Sequence, residues 1–172
     1  MAKLNKMKHA ELIAFVDLRR ISSMSDQLGP SAGSIRFYSI NSSQIMIEPN
    51  ITLPKNVPMS AVHGLHIHEN KFNLGKDGNA AGGHFDPYYT RRHEGPLGHG
   101  HLGDLPPVHF DLKTRTSLQL LYLVPRLTPA WVECLDGYPV ILHEGGDNYS
   151  DHPHLNGGGF GRMFGGFIQC VR

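Results

Sequence analysis

The chain has 172 residues, 40% of them hydrophobic, which is enough for one domain with a full core and too short for two. Lysine plus arginine number 16 and aspartate plus glutamate 15, so no global field draws nucleic acid, an anionic membrane or a polyanionic substrate. Cys134 and Cys170 are too few for a disulfide framework and lack the spacing of a structural zinc site, so both are expected to be buried free thiols.

Met1–Arg20 starts with lysines, but its apolar run, Leu12–Val16, is bounded by Glu11 and Asp17 and is shorter than the core of a signal peptide. No signal peptide is expected, and no stretch is long and apolar enough to span a membrane as a helix. Short β-like runs then recur between turn residues: Leu12–Val16, Ser34–Ile40, Gln44–Glu48, Val62–His68, Val108–Asp111, Ser117–Val124, Pro139–His143 and Gly166–Val171. Such a series suggests an all-β sandwich or barrel. Asn41-Ser42-Ser43 reads as the turn of a hairpin, and Pro129–Glu133 as a short helical turn. Two segments lack any period. Lys71–Pro107 is long for a structureless loop, and Glu144–Gly161 is rich in glycine, aspartate, asparagine and histidine, as a site wall would be.

The chain has 12 histidines, and all but His9 lie between positions 63 and 154. In His66-Ile67-His68 the two imidazoles fall on one face of a strand, with Cα atoms about 6.6 Å apart, close enough to share one ion. His63 falls on the opposite face and is expected to hold backbone groups. His84, His93, His101 and Asp104 place three imidazoles and a carboxylate in a single loop, a set that suits a closed, structural zinc site. His66, His68 and His143 lie on strands outside it, and an all-imidazole set suits copper with an open position. A bound ion would also crosslink the irregular loop and order it.

The segments Gly64-Leu65-His66-Ile67-His68-Glu69, Gly82-Gly83-His84-Phe85-Asp86-Pro87, His93-Glu94-Gly95-Pro96, Gly100–Pro106, His143–Asn148 and Gly157-Gly158-Gly159 with Arg162 resemble the copper,zinc superoxide dismutase family, most closely its bacterial branch. The resemblance implies an eight-stranded Greek-key β-barrel over the whole chain, residues 1–172, with the metals under two long loops. It implies copper on His66, His68, His84 and His143, and zinc on His84, His93, His101 and Asp104. His84 would then bridge both ions as an imidazolate. Asp147 would accept hydrogen bonds from His66 and His93, and Arg162 would dock a small anion beside the copper. Two divalent ions less one imidazolate and one carboxylate leave about +2 of formal charge there, which suits an anionic substrate. The implied activity is disproportionation of superoxide to oxygen and hydrogen peroxide, with His84 and Arg162 as the catalytic side chains.

The sequence departs from the family at its internal disulfide: the corresponding positions are Asn73 or Phe72, and Gly165. Lack of that bond fits a reducing compartment. It implies an intracellular protein, cytoplasmic or, for a viral member, in the host cytoplasm or virion, and metal loading independent of an oxidising copper chaperone. The loop must then be held by zinc, local hydrogen bonds and the packing of Phe72 or Leu74. A homodimer is the family's usual state. The acidic and lysine guides common in the family are missing from Glu144–Gly161, where His152 and His154 stand instead. A cupin would need a glutamate several residues after His-x-His, whereas Glu69 follows at once, and an amidohydrolase barrel needs about 250 residues. The remaining alternative is a non-catalytic copper- and zinc-binding protein with the same fold.

Overall fold

The structure is a computed structural model and describes residues 10–171; Met1–His9, the start of the segment read for a signal peptide, lies outside the described residues. The strands are β1 (Glu11–Arg20), β2 (Ser31–Asn41), β3 (Gln44–Ile51), β4 (Val62–His63), β5 (Leu65–Ile67), β6 (Val108–His109), β7 (Tyr122–Val124), β8 (Pro139–His143), β9 (Arg162–Phe167) and β10 (Gln169–Cys170). Eight of them form one antiparallel sheet in the order β5-β8-β9-β1-β2-β3-β7, with β10 pairing β1; β4 and β6 form a separate two-stranded ribbon. The all-β expectation holds, and the sheet curls around a core of Val16, Leu18, Ile35, Phe37, Ile47, Leu65, Ile67, Leu142 and Phe164.

Alternation explains the long strands. β1 runs past Val16 because Ala14, Val16 and Leu18 all turn inward, so Asp17 and Arg19 fall on the outer face at no cost. Three expectations need correction. Val62–His68 is two strands, because Gly64 breaks the pairing: β4 joins β6, whereas β5 joins β8. Only Tyr122–Val124 of Ser117–Val124 is a strand of the sheet; Ser117 is buried and forms an isolated bridge with Phe110, whereas Leu118 and Leu120 are exposed. The last strand starts at Arg162 and not at Gly166, and Ile168 turns into the core between β9 and β10.

The helical turn is present as α1 (Pro129–Cys134), with Pro129 in its first turn and the Thr128 side chain accepting from the Trp131 amide. Val132 and Leu135 occupy its buried face, which turns Cys134 outward. Cys134 is thus a free thiol but an exposed one, against expectation. Cys170 is half-buried, and its amide donates to Asp136 Oδ1.

The family's disulfide position is filled by packing. A side chain on Gly165 would press on Leu74 and Ile21, and Leu74 is 4% exposed in a small cluster with Ile21, Ala81 and Ile141. Phe72 is 66% exposed; its ring lies over Gly137 and tilts against Phe167, and its amide donates to Gly137 O, so it packs on the outside of the loop. Leu74 therefore does the anchoring. Leu74→Ala should cost about 2–5 kcal/mol in denaturant unfolding, and Phe72→Ala much less.

Candidate metal centre

β5 and β8 pair antiparallel, with His66 opposite Ile141, the His68 amide donating to Pro139 O and the His143 amide to Gly64 O, so His66, His68 and His143 stand at even spacing along the ladder and share one face of it. An isolated bridge between His68 and His84 brings the first long loop onto the same point, and one between His66 and Asp104 brings its far end. His66, His68, His84, His93, His101, Asp104 and His143 are all buried. Ligand atoms of His66, His68, His84 and His143 lie within 4.8 Å of one another, as do those of His66, His84, His93 and Asp104. His101 is outside the second tight set, with Nδ1 3.4 Å from Asp104 Oδ1.

The hydrogen bonds decide which nitrogen each ring presents. His68 Nδ1 donates to Gly82 O at 3.0 Å, which leaves Nε2 with its lone pair, 3.4 Å from His143 Nε2. His66 Nε2 donates to Asp147 Oδ2 at 2.8 Å, leaving Nδ1 free. One lone pair serves one ion, so His66 belongs to a single set despite its central position. On the other side His84 Nδ1 is 2.9 Å from Asp104 Oδ1, and His93 Nδ1 is 2.9 Å from Asp104 Oδ2. His93 Nε2 donates to Asp147 Oδ1 at 2.7 Å. Asp147 thus stands between a ring of each set. His63 faces away and is held at both nitrogens: the Ser60 amide donates to Nε2, and Nδ1 donates to His143 O.

Charge follows burial. Burial first, then repulsion by His84, His143 and other neighbouring positive groups, keeps His66 and His68 well below the usual imidazole range. Burial followed by repulsion from His84 and Arg162 brings His143 down to about 3. Burial also lowers His84, with the Asp104 hydrogen bond opposing. These four rings are neutral at physiological pH and carry lone pairs. Burial works against charge on His93 too, but the bonds to Asp104 and Asp147 outweigh it and raise the group to about 9. For Asp104 burial alone would raise the carboxyl; bonds from His101, His84 and His93 hold it far below the carboxylate range.

The residues fit metal ions. His66 Nδ1 is buried without a hydrogen-bond partner, which costs about 1–3 kcal/mol if nothing meets it. The donor set around it, imidazole nitrogens and the Asp104 carboxylate crowded at 2.9 to 3.4 Å, suits a partner that accepts lone pairs.

Arg162 opens β9 directly across the ladder from His143. It donates to Gly78 O at 2.6 Å and Gly82 O at 2.8 Å, and it lines a cavity of about 310 Å³ with His84, His143, His154, Asn156 and Phe160. Gly82 O serves both His68 and Arg162, so one carbonyl orients an imidazole and the guanidinium. Gly78, at φ 71, lies where a Cβ would stand 3.1 Å from Arg162 Cδ. Sequence reasoning missed Gly78 and also Arg126, which donates to the carbonyls of Gly100 and His101 at 2.7 and 2.9 Å and clamps that end of the loop. Neither stands in a motif that marks it. Gly157, which the glycine run before Arg162 did mark, is at φ 74, and a Cβ there would overlap Asp147 Oδ1.

The fold and these side chains define a class: an antiparallel β-protein with a buried histidine and carboxylate centre between two loops, open to solvent beside an arginine. A family model for copper/zinc superoxide dismutase matches residues 31–168. The Cu-Zn superoxide dismutase of Francisella tularensis subsp. holarctica (strain LVS) is 40% identical over 129 residues, 74% of this chain and 65% of that protein. That of Legionella pneumophila is 37% identical over 115 residues, 67% of this chain and 65% of that protein. The matches thus span about 65% of the length of these relatives. The solved structure of the Cu/Zn superoxide dismutase from Brucella abortus has a TM-score of 0.76 at 30% identity, covering 94% of this chain and 100% of that one. The chain belongs to the copper/zinc superoxide dismutase family.

Proposed function

We propose that the chain is a superoxide dismutase in which His66, His68, His84 and His143 hold copper and His84, His93, His101 and Asp104 hold zinc. The observation that carries this is His84. Its Nδ1 faces Asp104, while its ring centroid is 4.0 Å from that of His66 and 5.1 Å from that of His68. His101 completes the zinc set in preference to His66, whose one lone pair is already assigned.

His66, His68, His84 and His143 would hold copper, which would supply the one-electron redox chemistry by which one superoxide is oxidised to oxygen and a second is reduced, with two protons, to hydrogen peroxide. The protein supplies the rest. Arg162, with two donors spent on carbonyls, keeps others for an anion in the cavity, and its charge attracts one. His84, fixed through Nδ1 by Asp104, can hold and deliver a proton at Nε2. Asp147 keeps the rings of His66 and His93 in register. Gly78→Val would push Arg162 aside and force a branched residue into the left-handed region. It should lower kcat/KM about tenfold with metal content unchanged, read from turnover as a function of ionic strength.

His93 also sets a pH dependence. A proton held up to about 9 must leave before Nδ1 can bind zinc. Apparent zinc affinity of the metal-free chain should therefore rise by up to about tenfold per pH unit below that value and level above it. A chelator-competition titration at several pH values measures this.

Metal content and a dismutation assay on one reconstituted sample test the assignment. About one copper and one zinc per chain with rapid turnover supports the enzyme; tight binding without turnover assigns a metal-binding protein of the same fold. An intracellular site and loading without an oxidising chaperone are proposed from the sequence alone, which has Asn73 or Phe72, and Gly165, at the positions of the family's internal disulfide. Among the described residues no helix is long and apolar enough to cross a membrane. A homodimer is proposed from family membership and is checked by sedimentation.

A further inference from the structure

Asp147 is not alone in reaching from the Glu144–Gly161 loop to His93. Asp151 Oδ2 accepts from the His93 backbone N–H at 2.9 Å, and its Oδ1 accepts from the Asn156 backbone N–H at 3.0 Å. His93 is therefore gripped twice, its ring by Asp147 and its main chain by Asp151. Asn156 belongs to the tight turn Leu155–Gly158, where Asn156 and Gly157 both have left-handed backbone, at φ 55 and 74. Leu155, Asn156 and Gly158 wall the cavity that holds Arg162 and His143. A single carboxylate thus joins the main chain of the His93 loop to the wall of the anion cavity.

The turn has other bonds to its own loop: the Asn148 amide donates to Gly157 O at 3.1 Å and the Gly157 amide to Ser150 O at 3.0 Å. These can keep the turn closed, but they lead back to the same loop and not to the backbone of His93. Here each amide meets its own oxygen of the Asp151 carboxylate. An asparagine accepts through one oxygen and sets its NH₂ against the second N–H.

We propose that Asp151 is a positioning residue that couples the placement of His93 to the cavity wall, so that zinc on His93 fixes the Leu155–Gly158 turn around Arg162. This rests on the reading of His93 as a zinc ligand. The coupling is energetic and reciprocal: an anion that settles in the cavity should in turn favour the zinc-bound arrangement.

Zinc alone, at saturating concentration, is added to the metal-free full chain, and amide hydrogen exchange is followed over residues 84–104 and 154–160. In the unsubstituted chain zinc should slow both segments, the turn by about tenfold or more. In Asp151→Asn and Asp151→Ala zinc should still slow residues 84–104, while the turn exchanges as it does without metal. Azide binding to copper- and zinc-loaded Asp151→Asn should weaken several-fold at unchanged metal content. Full zinc protection of the turn in both variants would overturn this inference alone. Failure of zinc to protect residues 84–104 in the unsubstituted chain would overturn the zinc reading, and this inference with it.

Discussion

His143→Ala is expected to abolish dismutation while one zinc per chain stays bound. His143 closes β8, and its ring contributes one of four neutral imidazoles whose ligand atoms lie within 4.8 Å of one another. Removing it leaves three. Loss of a group that merely orients a ligand costs about 10–100-fold in metal affinity or activity, so loss of a ligand itself should exceed that. The zinc set should survive, because none of His93, His101 and Asp104 is hydrogen-bonded to His143, and its ring centroid is 6.1 Å from that of His84. The fold should survive as well. His63 bonds the backbone carbonyl of His143, and the His143 amide donates to Gly64 O, neither of which needs the side chain. Copper and zinc analysis beside the activity assay reads both halves; full turnover with copper retained would overturn the copper assignment.

The residues now gathered at this centre were visible in the sequence because metal and anion chemistry requires particular side chains. His66, His68, His84, His93, His101, Asp104, His143, Asp147 and Arg162 each carry a donor or charge that few other residues supply. Their supports were not visible, because much of the support is backbone. Gly82 O, which orients His68 and Arg162 together, could belong to any residue. Gly157 matters for the atom it lacks, and its place over Asp147 depends on a turn that no period announces. Long alternating strands such as β2 and β3 were legible from their apolar parity. The short ones were not: β4 and β6 have two residues each and are held extended by their partner and not by their own pattern. Cys134 shows the same limit, since which face of α1 is buried was settled by Val132 and Leu135 packing on the core. The missing disulfide was legible as an absence, but its replacement by Leu74 over Gly165 required the fold.

Asp147→Ala is expected to lower zinc affinity by about 10–100-fold and to loosen copper as well, from one substitution that removes no ligand. The carboxylate is fully buried and accepts from His66 Nε2 at 2.8 Å and from His93 Nε2 at 2.7 Å, and the Tyr149 amide also donates to it. Hydrogen bonds to a charged group are each worth about 1.5–3 kcal/mol. Losing the two to the imidazoles frees both rings to rotate and leaves two buried N–H groups unmatched. His93 suffers more, because Asp104 and Asp147 together hold its proton, and without Asp147 the ring can turn away from Asp104. His66 is backed by strand pairing with Ile141, so its main chain should stay in place while its ring loosens. Asp147→Asn should fall between the two: its oxygen can accept from one ring, but its NH₂ opposes the other N–H. Competition with a zinc chelator, read against copper content in the same preparations, orders the three proteins. Equal zinc affinity in all three would mean that the His93 ring is held by the zinc loop alone, and the bridge through Asp147 would have no role in either site.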